Sequence, residues 1–317
     1  MVINKNSRIF ITGHKGLVGS SIYKKFKNLN YKKIIVRNKK QLDLTNQKKV
    51  DNFFRKNKIN AVINAAAKVG GIAANNKYKA DFLIENIQIQ NNIVNSCFKY
   101  NIKSLILLGS SCIYPKHAKQ PMKEDCLLTG QLEETNDAYA IAKIVGVKLC
   151  ETYNFQYKTN YKCLMPSNLY GPNDNYHTYN SHFLPAIIKK LYLAKINRKK
   201  RVEFWGTGKP KRELTYVEDI AEACEFFIKK KTKHSLINIG SGYEKTINEY
   251  VKIVSKIMDL KIKIKFNKVK FKDGHPRKIL NCSIAKSYGW KPKFSLSYGL
   301  NNTLKDFFEN KKKYLKN

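Results

Sequence analysis

The stretch RIFITGHKGLVGSSIYKKF, residues 8–26, decides the fold of this chain. Its start has the apolar pattern of a short buried strand, and residues Leu17 to Leu29 have the spacing of a helix. Three glycines lie at this junction: Gly13, Gly16 and Gly19. Glycines between a strand and a helix permit a tight turn, and they let the backbone approach a pyrophosphate at the helix N-terminus. The G-x-x-G-x-x-G spacing therefore predicts a dinucleotide site, with an ordinary strand-to-helix turn as the alternative.

The first half of the chain alternates apolar runs with amphipathic segments. Strands are predicted at Arg8–Thr12, Lys33–Val36, Ala61–Ala65, Ser104–Leu108 and Cys163–Met165, and helices at Leu17–Leu29, Gln47–Asn57, Asp81–Tyr100 and Thr135–Gln156. Helices of this length between short strands indicate βαβ units. The predicted fold is α/β, a Rossmann-like doubly wound parallel sheet with both faces covered.

After Pro166 the character of the sequence changes. Residues 168–181 (NLYGPNDNYHTYNS) are polar and aromatic, which is typical of a binding loop. Helices are then predicted at Phe183–Lys195 and Glu218–Lys230, and strands at Val202–Trp205 and Ser235–Ile239. We predict a nucleotide-binding domain of residues 1–165 plus about 207–241, and a smaller C-terminal α/β substrate lobe of about 166–206 plus 242–317.

The composition excludes intrinsic disorder and raises the question of whether nucleic acid is a partner. Hydrophobic residues make up 43% of the 317 residues, which is enough for a packed core. Lys and Arg total 61 against 23 Asp and Glu, a formal net charge of +38. This charge is spread along the whole chain together with many asparagines. That distribution indicates a coding bias rather than a selected nucleic-acid surface.

Cysteine usage and the N-terminus indicate the compartment. The seven cysteines are odd in number and include no C-x-x-C pair, so neither a zinc site nor a disulfide framework is predicted. The N-terminus MVINKNSRIFITG has no apolar signal region, and no apolar stretch approaches the roughly 20 residues of a membrane span. We expect a cytoplasmic protein with no metal and no membrane partner.

The end of the second predicted strand bears on which dinucleotide is bound. NAD-selective folds place an acidic residue there to bond the ribose hydroxyls. This chain has Arg37-Asn38-Lys39 instead, and its next carboxylate is Asp43. An arginine suits a 2′-phosphate, so these residues favour NADP over NAD, with an ordinary surface charge as the alternative for Arg37. We expect Asp43 to lie near the adenine or to cap the next helix.

A tyrosine and a lysine four residues apart are the first catalytic candidates. Tyr139 and Lys143 share one face of their helix, and a nearby ammonium favours the phenolate. The strand before that helix ends in GSSCIYP, residues 109–115, where the hydroxyl of Ser110 can polarise the same carbonyl oxygen as the tyrosine. The three residues in this order indicate chemistry at a carbonyl, and a solvated helix face is the alternative.

With these motifs the chain resembles the extended short-chain dehydrogenase/reductase family. The resemblance runs from about residue 8 to about residue 310. It is carried by GHKGLVGS (13–20), NAAAKVGGI (64–72), LGSSCIYP (108–115), TNDAYAIAKIVGVKLCETYN (135–154), MPSNLYGPNDNYH (165–177), NSHFLPAIIKK (180–190), FWGTGKPKRELTYVEDIA (204–221) and DGHPRKIL (273–280). The cysteine in LGSSCIYP is the most specific feature, because related epimerases and dehydratases usually carry Thr or Ser there.

The resemblance implies NADPH-dependent conversion of GDP-4-keto-6-deoxy-D-mannose to GDP-L-fucose, by epimerisation at C3 and C5 and then reduction at C4. Inverting a carbon beside a ketone needs a base on one face and an acid on the other. By resemblance, Cys112 is the base and His182 the acid. Tyr139, helped by Lys143, protonates the C4 oxygen, and Ser110 stabilises the enolate. Without the resemblance, the cysteine reads as a buried hydrophobe and the histidine as structural.

The resemblance also implies where the ligands bind. With Arg37 from the argument above, the NADP(H) contacts are Gly13, His14, Lys15, Gly16, Leu17, Val18, Gly19, Leu108, Gly109, Ser110, Ser111, Lys143, Pro166, Ser167, Asn168, Leu169 and His182. The sugar-nucleotide contacts are Lys190, Trp205, Arg212 and Asp273. Lys190 stands where arginine is frequent, and it lacks the bidentate geometry of arginine toward phosphate. A homodimer through the helices at 81–100 and 135–156 is implied, and Lys189, Arg277 and Lys278 receive no role.

Two other functions stay open at this point. Another sugar-nucleotide epimerase or reductase of the same family would act on a different GDP-hexose, although Cys112 together with His182 argues against it. An RNA-binding protein on a reductase fold would account for the charge of +38. Against it, the expected reacting groups are all present and no arginine-aromatic cluster or RNA motif occurs, so we expect no specific nucleic-acid partner.

Overall fold

A computed structural model describes residues 3–178, 180–267 and 275–315. The first half contains β1 (Arg8–Thr12), α1 (Leu17–Asn28), β2 (Lys33–Ile35), α2 (Gln47–Asn57), β3 (Ala61–Asn64), α3 (Ile72–Lys77), α4 (Lys79–Lys99), β4 (Ser104–Leu108), α5 (Asp137–Tyr157) and β5 (Asn160–Pro166). The second half contains β6 (Asn168–Tyr170), α6 (Phe183–Ile196), β7 (Arg201–Trp205), β8 (Lys211–Tyr216), α7 (Val217–Lys229), β9 (Leu236–Ile239), β10 (Glu244–Thr246), α8 (Ile247–Ile257), β11 (Lys263–Asn267), β12 (Arg277–Lys278), α9 (Ser283–Ser287), α10 (Leu296–Glu309) and α11 (Lys311–Leu315).

The main sheet has six strands in the order β2-β1-β3-β4-β5-β9, and all of its pairs are parallel. Parallel strands are joined by helices that cover both faces, so β3 and β4 are buried along their whole length. One apolar cluster packs under α2, α4 and α5, and another packs under α1 and α7. The prediction of a doubly wound parallel sheet is confirmed.

A second layer of strands and helices forms a smaller lobe. Strands β10, β8 and β12 pair in that order, β6 pairs with β8, and β7 pairs with β11. A third apolar cluster joins these strands to α6, α8 and α10. Strand β8 belongs to this lobe, whereas α7 and β9 pack with the main sheet, so the segment 207–241 contributes to both layers. Within the described parts of the chain, no helix has both the length and the apolar character to cross a bilayer.

Strand β8 was not predicted from the sequence, several strand ends differ by one residue, and the differences at β5 and β6 are larger. Residues 168–170, predicted as loop, form β6 and pair in parallel with β8. The sequence predicts that β5 starts at Cys163, because Lys162 interrupts the apolar pattern. In the structure the strand starts at Asn160, and Lys162 lies inside it. Lys162 is 1% exposed, and its ammonium donates to Asn160 Oδ1 at 2.7 Å. Burial lowers the pKa of Lys162 to about 7.

We expect Lys162→Met to stabilise the protein most at low pH. The unfolded chain keeps the lysine protonated up to its ordinary pKa of 10.5, whereas the folded chain releases the proton above about pH 7. The stability of the wild type should therefore rise with pH between these two values. The variant lacks this dependence, and its advantage, a few kcal/mol at about 1.4 kcal/mol per pKa unit, should vanish as the pH approaches 10.5.

Urea unfolding at several pH values between these limits measures this difference in the free energy of unfolding. Lys24→Met, at an exposed position of α1, is the matched control and should leave the pH dependence unchanged. Parallel stability curves for wild type and Lys162→Met would contradict the prediction.

Candidate active site

The glycine loop joins β1 to α1 at the carboxyl edge of the main sheet. Gly13 has a φ of +67°, and a Cβ on Gly19 would collide with the Gly13 carbonyl, so both positions require glycine. Gly16 is different, because a Cβ there would meet only the Gly13 oxygen at 3.5 Å, an ordinary contact. The chain itself does not exclude a side chain at Gly16. Glycine there keeps the space over the start of α1 clear for a ligand.

The N-terminus of α1 has the properties of an anion site. Gly16 supplies no side-chain cap, and the first turn contains no acidic residue. Backbone N–H groups at such an end are free to bind an anion. Beside the loop, the Nδ1 atom of His14 is buried without a hydrogen-bond partner. The Thr12 hydroxyl donates to Asn64 Oδ1 at 2.6 Å and accepts the Ala66 N–H at 3.0 Å, which fixes the ends of β1 and β3. These features fit a dinucleotide pyrophosphate.

The residues after β2 comprise an exposed arginine followed by a turn. Arg37 is exposed, donates to the Val36 carbonyl at 2.7 Å and lies 5.5 Å from the Phe53 ring. Asp43 accepts the N–H and the hydroxyl of Thr45, and these bonds lower the pKa of its carboxyl. The side chain of Asn46 caps α2, so the expected capping of that helix by Asp43 is wrong.

The ends of β4 and β5 lie side by side at the same edge. The Gly109 N–H donates to the Leu164 carbonyl at 2.9 Å, which places the 108–111 segment next to the 166–169 segment. Ser167 is buried and its Oγ lies 2.7 Å from Thr215 Oγ1, while Asn168 Nδ2 donates to the Glu213 carbonyl at 3.1 Å. The two segments, both predicted to contact NADP(H), are therefore adjacent.

Cys112 follows β4 directly, in a short 3-10 turn. The turn covers residues 111–113, and Ser110 Oγ accepts the Cys112 N–H at 3.5 Å. The cysteine is only 7% exposed. Burial raises the pKa of its thiol, and the positive charge of Lys278, the hydrogen bond with Ser110 and the charge of Lys143 act in the opposite direction. The thiol is thus protonated at rest but lies near groups that favour the thiolate.

Helix α5 brings Tyr139 and Lys143 to the end of β4. Lys143 Nζ donates to the Leu108 carbonyl at 2.8 Å and lies 5.6 Å from the centre of the Tyr139 ring. Burial, and then the Cys112 thiol, raise the pKa of Tyr139, and burial lowers the pKa of Lys143. The expected lowering of the phenol pKa by the lysine is therefore not found. The phenol keeps its proton at neutral pH, which suits a proton donor.

His182 stands at the start of α6, where it is the residue before the first helical turn. The residue is exposed, yet the protein around it removes water from the imidazole. This desolvation, and then the positive charge of Lys278, lower the pKa of His182. The Gly71 N–H donates to the Asn180 carbonyl at 3.0 Å, which ties the segment after β3 to the loop before the histidine. His182 and Cys112 thus both lie within the influence of one lysine.

That lysine, Lys278, is the residue that sequence reasoning left without a role. It lies in β12 and pairs with Arg212 of β8, so both side chains project to the same side of the lobe. Burial lowers the pKa of Lys278, the Cys112 thiol raises it and Arg212 lowers it. The DGHPRKIL motif pointed to this segment, but only the long-range pairing of β12 with β8 reveals the position of the lysine.

The predicted substrate contacts lie in the smaller lobe. Lys190 Nζ lies 5.2 Å from the Phe204 ring centre, and burial lowers the pKa of this lysine. Trp205 ends β7 and is 60% exposed, and Arg212 Nη1 donates to the carbonyl of Lys211 at 2.8 Å. Asp273 lies outside the described residues.

The two other unassigned cations have structural contacts. Lys189 is buried and donates to the Tyr176 carbonyl at 3.0 Å. Arg277 donates to Glu244 at 2.7 Å. Both hold the lobe together, which distinguishes them from Lys278. Among residues 3–178, 180–267 and 275–315, no group of three or more His, Cys, Asp and Glu side chains could hold a metal ion.

We expect Lys278→Gln to slow the alkylation of Cys112. The positive charge of Lys278 lowers the pKa of this thiol, and the thiolate is the reactive form. Loss of the charge therefore reduces the reactive fraction at a given pH, and labelling by iodoacetamide should slow several-fold. Peptide mass spectrometry resolves Cys112 from Cys126, a partly exposed thiol that serves as internal control. An unchanged rate at Cys112, or equal slowing at both cysteines, would argue against an effect of the Lys278 charge on the Cys112 thiol.

Comparison with known proteins identifies relatives of this chain in sequence and in structure. The profile of the NAD dependent epimerase/dehydratase family matches residues 9–240. GDP-L-fucose synthase 1 of Arabidopsis thaliana is 46% identical over 97% of this chain and 95% of its own length. GDP-L-fucose synthase of Escherichia coli (strain K12) is 42% identical over 97% of this chain and 98% of its own. The solved structure of a GDP-mannoheptose C4 reductase from Campylobacter jejuni with NADP bound has 34% identity and a TM-score of 0.88, and it covers 96% of this chain and 99% of that chain.

Proposed function

Because the chain belongs to the NAD dependent epimerase/dehydratase family, we propose that it converts GDP-4-keto-6-deoxy-D-mannose to GDP-L-fucose with NADPH. Relatives named for the synthesis of GDP-L-fucose match almost the whole chain at 42% and 46% identity. One observation carries the proposal: Ser110, Cys112, Tyr139 and Lys143 converge at the sheet edge that also bears the glycine loop.

NADPH fits the first part of this edge. The uncapped start of α1 and the space at Gly16 would take the pyrophosphate, and the exposed Arg37 would take the 2′-phosphate. The nicotinamide half would lie along the 108–111 and 166–169 segments. When bound, NADPH supplies the reducing equivalent for C4. A solved relative with NADP bound supports this choice of cofactor.

Epimerisation uses Cys112 and His182. The thiolate removes the proton from C3 or C5, the C–H electron pair moves into an enolate, and the imidazolium delivers a proton to the opposite face. The enolate oxygen accepts hydrogen bonds from Ser110 and Tyr139. Burial raises the pKa of the Cys112 thiol, and the Lys278 charge opposes this and favours the thiolate. Burial, and then the same charge, lower the pKa of His182, so the imidazole must take up a proton before it can act as the acid.

Reduction uses Tyr139. Its pKa is raised by burial, so the phenol holds a proton that it donates to the C4 oxygen as that oxygen becomes negative. Lys143, fixed by its bond to the Leu108 carbonyl, then stabilises the phenolate that remains. The two stages share one ketone and one set of donors.

A second candidate is simple C4 reduction of a related GDP-sugar. The solved neighbour named as a GDP-mannoheptose C4 reductase favours it. The presence of Cys112 and His182, whose pKa values are both affected by the charge of Lys278, favours the epimerising reaction, because reduction alone needs neither group.

The test follows NADPH absorbance with GDP-4-keto-6-deoxy-D-mannose and identifies the products by NMR. We expect Cys112→Ser to reduce GDP-L-fucose formation at least about a hundredfold, the contribution of a general base, while C4 reduction of the unepimerised sugar persists. Cys126→Ser should retain both activities. A wild type that consumes no NADPH with this sugar would refute the reaction, and full epimerisation by Cys112→Ser would refute the role of the thiol.

We also propose that the protein is a homodimer in a reducing compartment such as the cytoplasm. Helices α4 and α5, with the loop before α5, expose these apolar residues: Ile84, Phe98, Leu128, Ile141, Phe155 and Tyr157. Two of them, Leu128 and Ile141, line an apolar cleft together with Leu132, Val145 and Leu149. Exposed apolar residues around such a cleft favour an association site. All seven cysteines are free thiols, which suits a reducing compartment.

We expect Ile141→Glu to convert the dimer to a monomer in sedimentation equilibrium. Ile141 is 45% exposed at the cleft, and a carboxylate buried there without a partner disfavours association. Ile196→Glu, at a residue 52% exposed at the end of α6, is the matched control and should leave the mass unchanged. A wild type that sediments as a monomer would dismiss the dimer.

A further inference from the structure

Glu213 is a completely buried carboxylate in β8. It is 0% exposed, and its two oxygens accept backbone N–H groups from two separate segments. The Gly242 N–H donates to Oε1 at 2.7 Å, and the Leu280 N–H donates to Oε2 at 2.9 Å. Burial raises the pKa of this carboxyl, and its two backbone hydrogen bonds act to lower it. Burying an acidic group is costly unless its oxygens are satisfied, so the two N–H donors offset that cost.

The surroundings fit this side chain closely. A Cβ on Gly240 would lie 2.9 Å from Glu213 Cδ, so the glycine is needed for the carboxylate to reach its donors. The β8 backbone next to Glu213 is fixed as well, because the Tyr250 hydroxyl donates a hydrogen bond to the Arg212 carbonyl at 2.9 Å. The Glu213 carboxyl therefore joins the loop after β9 and the end of β12 to strand β8.

Strands β8 and β12, which the carboxyl joins, each carry a cation of the proposed site. Arg212 precedes Glu213 in β8, and Lys278 lies two residues before Leu280 and in register with Arg212. Side chains alternate along a strand, so Glu213 points away from the side on which Arg212 and Lys278 project. It cannot touch the substrate from there. Its influence on the site must pass through the backbone that it holds.

We propose that Glu213 is a positioning residue that fixes the cations of Arg212 and Lys278 beside Cys112 and His182, where the sugar nucleotide binds. The inference rests on the proposed function. The cofactor side is less dependent on Glu213, because the side chain of Ser167 is held by Thr215 Oγ1 at 2.7 Å. Loss of the carboxylate should therefore impair binding of the sugar nucleotide more than binding of NADPH.

The test compares Glu213→Gln with Asp219→Asn. Glutamine keeps the size of the side chain but turns an NH2 group toward one of the two N–H donors, which loses its acceptor. Asp219 is also buried and accepts the Lys293 N–H at 2.6 Å, but it holds no segment of the proposed site. Both variants should melt at a lower temperature. Only Glu213→Gln should raise the Kd for GDP and the KM for the GDP-sugar, each by about tenfold, the effect of displacing a charged contact.

The KM for NADPH should stay within about twofold in Glu213→Gln, which separates positioning from a general loss of structure. If Glu213→Gln fails to fold, Glu213→Asp keeps the charge but is too short to span both N–H donors, and it should give the same split. An unchanged KM for the GDP-sugar in a folded Glu213 variant, or an equal rise in Asp219→Asn, overturns the inference alone. A wild type that neither binds GDP nor consumes NADPH overturns the proposed function and this inference with it.

Discussion

The parallel pairing of β1, β3, β4 and β5 is the constraint on which the rest of the molecule depends. Parallel strands end at the same edge of a sheet, so residues that follow each strand meet there although they are far apart in sequence. Gly13 follows β1, Ser110 follows β4, and Ser167 follows β5. The crossover helix α5 returns to that edge, and the bond from Lys143 to the Leu108 carbonyl locks its first turns beside β4. A slip in one strand pair would separate the glycine loop from the reacting groups.

The electrostatics of the site follow from this enclosure. Burial disfavours charge, so it raises the pKa of Cys112 and Tyr139 and lowers the pKa of Lys143. The thiol and the phenol therefore keep their protons at neutral pH, whereas the positive charge of Lys278 acts to lower the pKa of the thiol.

Local patterns in the sequence predict the main sheet well, because glycine spacing, short apolar runs and helical periodicity are all local signals. They predict β5 and β6 poorly, since Lys162 and Asn168 are polar residues placed in strands by tertiary pairing. The predicted lowering of the Tyr139 pKa was wrong in direction. Burial raises this pKa, and the ammonium of Lys143 donates to the Leu108 carbonyl oxygen. Lys278 could not be assigned, since its place depends on β12 pairing with β8.

In a chain with a formal net charge of +38, the position of a cation matters more for selective binding than its sign. A chain with 61 basic side chains has many cations that could meet a phosphate. A lysine or arginine becomes selective only when neighbouring groups fix where its charge lies. Among the residues that the structure describes, the most buried acidic side chain is Glu213, and it accepts two backbone N–H groups rather than forming an ion pair. Holding a strand in place is therefore how this chain distinguishes Arg212 and Lys278 from the cations around them.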